Sequence, residues 1–271
     1  MSTEYRNWLP TLCTLADTAG ARIMDVYRSD FDVEQKEDDS PVTAADQAAH
    51  RVLVDGLRAL TPDIPILSEE GEQPTFAVRQ AWQRYWLIDP LDGTREFIKR
   101  NDEFTVNIAL VENHRPVIGV VYAPALGTLY YGATGEGAFR QRDGQTESIA
   151  TRPAPEAITA AVSRSHRGDR VEALLERLPD HTTLGIGSSL KFCLVAEGQA
   201  DLYPRLGPTS EWDTAAAQCV VEAAGGRVMK LDGSALEYNT KDSLLNPDFV
   251  VVGDLDRDWL SLFAGLERDA D

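Results

Sequence analysis

Two aspartates three residues apart, Asp89 and Asp92 in "LIDPLDGTREF", close an apolar run against a proline, a glycine and a threonine. Pro90 has no N–H to donate and fixes its own φ, which predicts a strand ending at Asp89. Gly93 permits a turn closed to bulkier residues, and the following "TREFIK" is helix-compatible. Such a turn aims free backbone N–H groups at one point and makes a seat for an anion. Two carboxylates beside an anion seat make chemical sense when divalent ions lie between them. Hard cations such as Mg²⁺ take carboxylate, water and phosphate oxygens. On spacing alone, a plain turn of residues that favour turns accounts for the motif slightly better. The pair fits neither the alternating acids of an EF-hand loop nor the two-residue spacing of a DxDxT nucleophile motif.

Three further acidic segments change the balance. "LSEEG" places Glu69 and Glu70 at the end of a strand-like run, "EWDTAAA" places Asp213 at the start of a helix, and "TAAD" places Asp46 at the start of another. Each has a plainer reading. Glu69 and Glu70 serve as solvated turn charges, and Asp213 as a favourable charge at a helix N-terminus. Thr43 and Asp46 fit a variant capping box with Asp where Glu or Gln is usual. Yet all of these acids stand at element ends, where sites are usually built.

The elements that must position them follow from periodicity. Leu12, Leu15, Ala19, Ile23 and Val26 predict one amphipathic helix, and Ala49, Val52, Leu53, Leu57 and Leu60 a second. "DVEQKEDDSPVTAAD" between them is expected to be a charged loop. "IPILSEEG" and "RYWLID" predict strands, and "FTVNIALVENHRPVIGVVYAP" and "GTLYYGATGEGAFRQ" predict hairpins. From about residue 151, strand-like "ITAAVSRSH", "TTLGIG", "RVMKL" and "DFVVVG" alternate with helical stretches at 169–178, "SSLKFCLVAEGQAD" and "TSEWDTAAAQCVVEAAGG", and a final helix closes the chain. The expected architecture is an α+β first half (1–150) carrying most of the acids. It packs against an α/β second half (151–271) carrying Asp213, layered rather than barrelled.

At 271 residues and 43% hydrophobic, the chain is long enough for a large core and shows no run of apolar residues fit for a membrane span. "MSTEYRNWLP" lacks a signal-peptide pattern, and Cys13, Cys193 and Cys219 are expected to be buried free thiols, so a cytoplasmic location is expected. The formal net charge of −18 opposes a polyanion, so no nucleic-acid partner is expected. Solubility explains that charge, and so do carboxylates kept to hold cations.

"DPLDGT", with "SEE" upstream and "WDTAA" downstream, resembles the Mg²⁺-dependent, lithium-sensitive phosphatases related to inositol monophosphatase. Within that superfamily, "SPVTAAD", "YWLIDPLDGTREFIKR", "EFTVNIAL", "GVVYAP", "SRSH", "GSSLKFCLVAEGQADLYPR" and "GPTSEWDTAA" are most similar to the bacterial 3′(2′),5′-bisphosphate nucleotidases. Ala217 departs from the glycine more often found there, and the N-terminus is several residues longer than usual.

The resemblance implies a layered αβαβα sandwich of the sugar-phosphatase type and a site holding two to three Mg²⁺ ions. Glu69, Asp89 and the carbonyl of Leu91 would hold one ion. Asp89, Asp92 and Asp213 would hold a second, and a third would sit near Glu69 through water. Thr94, hydrogen-bonded to Asp46, would orient and deprotonate the attacking water, and the N–H groups of Gly93 and Thr94 would hold the phosphate. His166, Gly187, Ser188, Lys191 and Arg205, together with Asp213, would meet the nucleotide. Each of the three basic residues has an alternative: a local cap or packing for His166, a solvated helix charge for Lys191, an ion pair for Arg205. The implied reaction is hydrolysis of adenosine 3′,5′-bisphosphate to AMP and phosphate, with 3′-phosphoadenylyl sulfate as a second substrate, clearing a by-product of sulfate assimilation. Rival expectations are an inositol monophosphatase, a fructose 1,6-bisphosphatase, or a catalytically silent metal- and phosphate-binding regulator. A monomer with a small-molecule substrate and no obligatory protein partner is expected. Peripheral association with the cytoplasmic face of the inner membrane is left open.

Overall fold

The computed structural model describes residues 3–29, 33–35, 41–164, 168–178 and 180–266, with backbone alone for 33–35 and 41–43. Helix α1 (Thr3–Tyr27) buries Leu9, Leu12, Ala16, Ala19 and Ile23, a stripe at three- and four-residue spacing. Strands β1 (Val33–Gln35) and β2 (Pro41–Thr43) pair antiparallel within the segment expected to be a loop. Helix α2 (Ala44–Leu60) buries Ala49, Leu53 and Leu57.

A seven-stranded sheet follows. It comprises β3 (Ile66–Ser68), then the short helix α3 (Phe76–Arg79), β4 (Arg84–Asp92), the five-residue helix α4 (Thr94–Ile98), β5 (Thr105–Glu112), β6 (Arg115–Ala123), β7 (Thr128–Ala133), β8 (Gly137–Arg142) and β9 (Gln145–Ile149). These strands lie in chain order across the sheet, β3–β4 parallel and the rest antiparallel. The second half supplies β10 (Ile158–Ser163), α5 (Asp169–Leu175), β11 (His181–Ile186), α6 (Leu190–Ala196), β12 (Leu202–Arg205), α7 (Ala215–Ala223), β13 (Arg227–Lys230), β14 (Phe249–Val252) and α8 (Leu260–Phe263). Its five strands run in the order β11-β10-β12-β14-β13.

Three apolar clusters give the layers. Helices α1 and α2 cover one face of the large sheet through Trp86, Ile88, Val106, Ile108 and Leu110. Helices α6 and α7 fill the space between the sheets, where Tyr85, Leu87, Ala109 and Val111 meet Tyr203, Phe249 and Val251. The outer face of the small sheet packs on α5 and α8 through Leu174, Leu175 and Phe263. The result is the αβαβα sandwich. Helix α7 lies unusually close to the large sheet: a Cβ at Gly119 would sit 2.1 Å from the carbonyl oxygen of Ala216. Only a residue without a side chain lets that backbone approach.

Strand β4 corrects one sequence expectation. It does not end at Asp89 but continues to Asp92 through a register shift, with Asp89 opposite Asn107 and Asp92 opposite Thr105. Pro90 and Leu91 together face Val106, two residues against one, which is a β-bulge and a place where a missing N–H does little harm. The bulge matters to the site. In an unbroken strand, residues three apart point to opposite faces. The extra residue reverses that parity, so Asp89 and Asp92 share the face of Asn107 and Thr105. Leu87 marks the same face in the inter-sheet cluster, whereas Ile88 and Leu91 join the opposite one.

Candidate metal and phosphate site

Asp89, Asp92 and Asp213 each offer a carboxylate oxygen within 4.8 Å of the other two. The first two come from the bulge of β4. Asp213 ends the 3₁₀ turn Glu211–Asp213 just before α7, so the close seating of α7 on the sheet carries it to the pair. One oxygen of each is tied by a backbone donor. The Leu91 N–H reaches Asp89 Oδ1 at 3.0 Å, the Ser189 N–H reaches Asp92 Oδ2 at 2.7 Å, and the Ser210 N–H reaches Asp213 Oδ2 at 2.9 Å. The remaining oxygens are left for a ligand. Glu69 and Leu91 join the three aspartates around one cavity of about 610 Å³.

The electrostatics of the cluster favour a cation among these acids. Burial pushes the Asp89 carboxyl well above its ordinary value, and the charges of Glu69, Asp92, Asp213 and Asp46 push it further. Burial raises Asp213 as well, then Asp92 and Glu69, against the opposing Ser210 N–H and Arg205. Like charges this close favour protonated forms unless a cation intervenes. A cluster with oxygen donors only, each pre-oriented, fits a hard divalent cation.

The residues expected to act on water and phosphate lie alongside. Gly93 and Thr94 line the same cavity. Gly93 adopts φ +91°, and a Cβ there would press on Glu103 and Phe104 backbone atoms at 3.2 and 3.3 Å. The Thr94 hydroxyl donates to the Leu91 carbonyl at 3.4 Å, a long bond. Asp46 is fully buried in the first turn of α2, near enough for its charge to act on Asp89.

On the other wall, Lys191 is buried rather than a solvated helix charge. Its Nζ donates to the carbonyls of Ser188 at 2.6 Å and Ile186 at 3.4 Å and lies 5.5 Å from the Tyr203 ring centre. Burial pushes its pKa down to about 8, with Asp92 pulling it back up. Arg205 lines the cavity and donates through Nη2 to the Pro208 carbonyl at 2.5 Å. Ser188, at φ +42°, lines a smaller recess of about 170 Å³ together with Asp92, Lys191 and Arg205. The Gly187 N–H is already given to Glu103 Oε2 at 2.8 Å, and Arg164 grips the same carboxylate. His166 lies outside the described residues.

Across 4–261, the sequence matches the model of the inositol monophosphatase family. A 3′(2′),5′-bisphosphate nucleotidase CysQ of Salmonella typhimurium is 56% identical over 246 residues, covering 90% of this chain and 99% of its own. Its Escherichia coli K12 counterpart is 54% identical over 245 residues, 90% of this chain and 98% of its own. Among solved structures, CysQ from Bacteroides thetaiotaomicron superposes with a TM-score of 0.79 at 39% identity, covering 92% of this chain and 97% of the other. The chain belongs to the inositol monophosphatase family. A Thermotoga maritima IMPase shares the fold at a TM-score of 0.76 and 28% identity, over 96% and 98% of the two chains.

Within this family fold, two residues beside the acids were not singled out from the sequence. Asn107, fully buried on β5, donates its Nδ2 to Ser189 Oγ at 2.9 Å, and Ser189 contacts Asp92 directly. The available signals were a polar residue inside the apolar run "TVNIAL" and the second serine of "GSS". Ala217, where the family resemblance expects glycine, is fully buried in α7, so its methyl is accommodated without displacing Asp213 from the cluster.

Proposed function

We propose that this chain is a 3′(2′),5′-bisphosphate nucleotidase that removes the 3′-phosphate of adenosine 3′,5′-bisphosphate to give AMP and phosphate. We extend the same activity to 3′-phosphoadenylyl sulfate. What supports it above all is that three convergent carboxylates and the cationic Arg205 line one cavity. The nucleotidase relatives align over nine-tenths of the chain. A bisphosphate needs an end where one phosphoryl group is cleaved and another where the second is held.

The cleaving end is the aspartate cluster. Two to three Mg²⁺ ions bound there would supply Lewis-acid polarisation of the phosphoryl oxygens and an activated water. Glu69, Asp89 and the Leu91 carbonyl would hold one ion, and Asp89, Asp92 and Asp213 would hold a second. Thr94 and Asp46 form the pair that orients water and takes its proton, with Asp46 shielded from solvent in α2. The Gly93 and Thr94 N–H groups hold the phosphate undergoing attack.

The holding end is the wall of Lys191 and Arg205. Arg205 offers a planar fork to the uncleaved phosphate. Lys191 shapes the Ser188 segment through its two carbonyl contacts and adds positive charge at neutral pH, below its value of about 8. Gly187, Ser188 and His166 complete the nucleotide contacts, with Gly187 acting through its neighbours because its N–H is engaged. In this reading, residues 1–150 carry most ion ligands, residues 151–271 carry Asp213 and the nucleotide contacts, and the working unit is a monomer.

The test is phosphate release from adenosine 3′,5′-bisphosphate, inositol 1-phosphate and fructose 1,6-bisphosphate, with Mg²⁺ and with EDTA. Mg²⁺-dependent release with kcat/KM at least tenfold higher for the adenosine compound is expected. Faster release from either sugar phosphate would overturn the nucleotidase assignment in favour of a sibling activity.

A further inference from the structure

Ser189 sits where its hydroxyl would ordinarily close the end of a helix, and it does something else. It is the N-cap residue of α6, yet its side chain makes no capping hydrogen bond. An N-cap serine usually accepts from an N–H of the first turn. Here Oγ lies 2.9 Å from Asp92 Oδ2 and 2.8 Å from the main-chain oxygen of Asp213, and Asn107 Nδ2 donates to it at 2.9 Å. Ser189 is 1% exposed and Asn107 is fully buried, so water does not compete for these bonds.

A hydroxyl has one proton. With Asn107 donating to Oγ, that proton goes either to the Asp92 carboxylate or to the Asp213 carbonyl, and the ionised carboxylate is the stronger acceptor. The Ser189 N–H already binds the same Oδ2 at 2.7 Å, and Thr105 Oγ1 approaches it at 3.4 Å. Among the described residues, the donors to Asp92 therefore converge on one oxygen. The carboxylate cannot rotate without breaking these bonds, which leaves Oδ1 as the oxygen they do not engage.

We infer that Ser189, oriented by Asn107, is a positioning residue that fixes Asp92 as a one-oxygen ligand for a divalent cation. It ties the end of β4 to the segment preceding α7, so two distant parts of the chain are set relative to one another by a single hydroxyl. The inference rests on the metal-dependent reading of the site but not on which phosphate ester is cleaved.

The experiment is calorimetric titration of Mg²⁺ into substrate-free protein for wild type, Ser189→Ala, Ser189→Cys and Ser189→Thr, with thermal unfolding of each in EDTA. Partners that orient metal ligands typically contribute about 10–100-fold in affinity. Ser189→Ala is expected to weaken Mg²⁺ at least about tenfold. Ser189→Cys, close in volume but a poor donor, should do the same, while Ser189→Thr restores affinity to within about threefold. If Ser189→Ala does not fold, the Cys and Thr variants carry the comparison. A purely structural serine would lower the unfolding temperature in EDTA while leaving Mg²⁺ affinity within twofold of wild type, and that result overturns the inference. Failure of the wild type to bind Mg²⁺ overturns it together with the metal reading. Failure to cleave adenosine 3′,5′-bisphosphate despite Mg²⁺ binding overturns only the substrate.

Discussion

Replacing Asp89 by asparagine should make the metal-free protein more stable and the metal-loaded protein less so. The Asp89 side chain is 1% exposed and faces two carboxylates with oxygens within 4.8 Å. At an effective dielectric constant near 20, each fully ionised pair at that separation costs about 3 kcal/mol. Proton uptake caps the penalty, because burial and the neighbouring acids raise the Asp89 pKa. The asparagine amide oxygen can still accept the Leu91 N–H, now at 3.0 Å, so little is lost in exchange. A gain of about 1–3 kcal/mol in EDTA follows, each kcal/mol being worth about 2–4 °C in a chain of this length. With Mg²⁺ the order reverses. A ligand at a hundredfold excess over its Kd adds about 2.7 kcal/mol to the wild type, and the variant forfeits most of that together with its turnover. Scanning calorimetry in EDTA and at saturating Mg²⁺ reads both halves. Asp89→Asn unfolding earlier than wild type in EDTA, or keeping the full Mg²⁺ shift, would refute the reasoning. So would near-normal phosphate release.

Two further outcomes are expected. Asp46→Ala should lower kcat about 10²–10⁴-fold, the usual worth of a positioned proton acceptor, with Mg²⁺ affinity changed less than about threefold; calorimetry showing the opposite split would make Asp46 an ion ligand. Raised pKa values at Asp89 and Asp213 mean stability fully present below the ordinary value of 3.8 and lost as pH climbs through the raised ones. The metal-free unfolding temperature should therefore fall with rising pH, with Glu69, Asp92 and Asp46 contributing to the field, and saturating Mg²⁺ should flatten that slope. A slope unchanged by Mg²⁺ would show that the ions bind elsewhere.

The layered fold was legible because each layer leaves a periodic trace: Leu12, Ala19 and Ile23 for the outer helix, and the apolar runs of β4 to β6 for a sheet buried on both faces. The acids were legible as residues at element ends, and the structure brings Asp89, Asp92 and Asp213 together with Glu69 on the same cavity. Strand β12 escaped notice because it is four residues long and contains Pro204. The bulge escaped because a proline after an aspartate reads as a stop, and only pairing with β5 shows the strand resuming. Lys191 reads as a surface charge from its place in a helix, yet α6 lies between two sheets, a fact of tertiary packing alone. The Ser189–Asn107 link spans 82 positions of the chain, and no local pattern announces it.

The bulge in β4 also changes what variation this strand can absorb. Swapping one side chain for another at position 91 alters only a lining group. Straightening the strand at its present length is different in kind, because simple alternation would set residues three apart on opposite faces. One carboxylate would then be thrust through the sheet into the oily layer beneath α1 and α2. The three-residue spacing of the aspartates therefore works only with the extra residue bulged out, and Pro90, which has no N–H to pair, suits that irregular backbone.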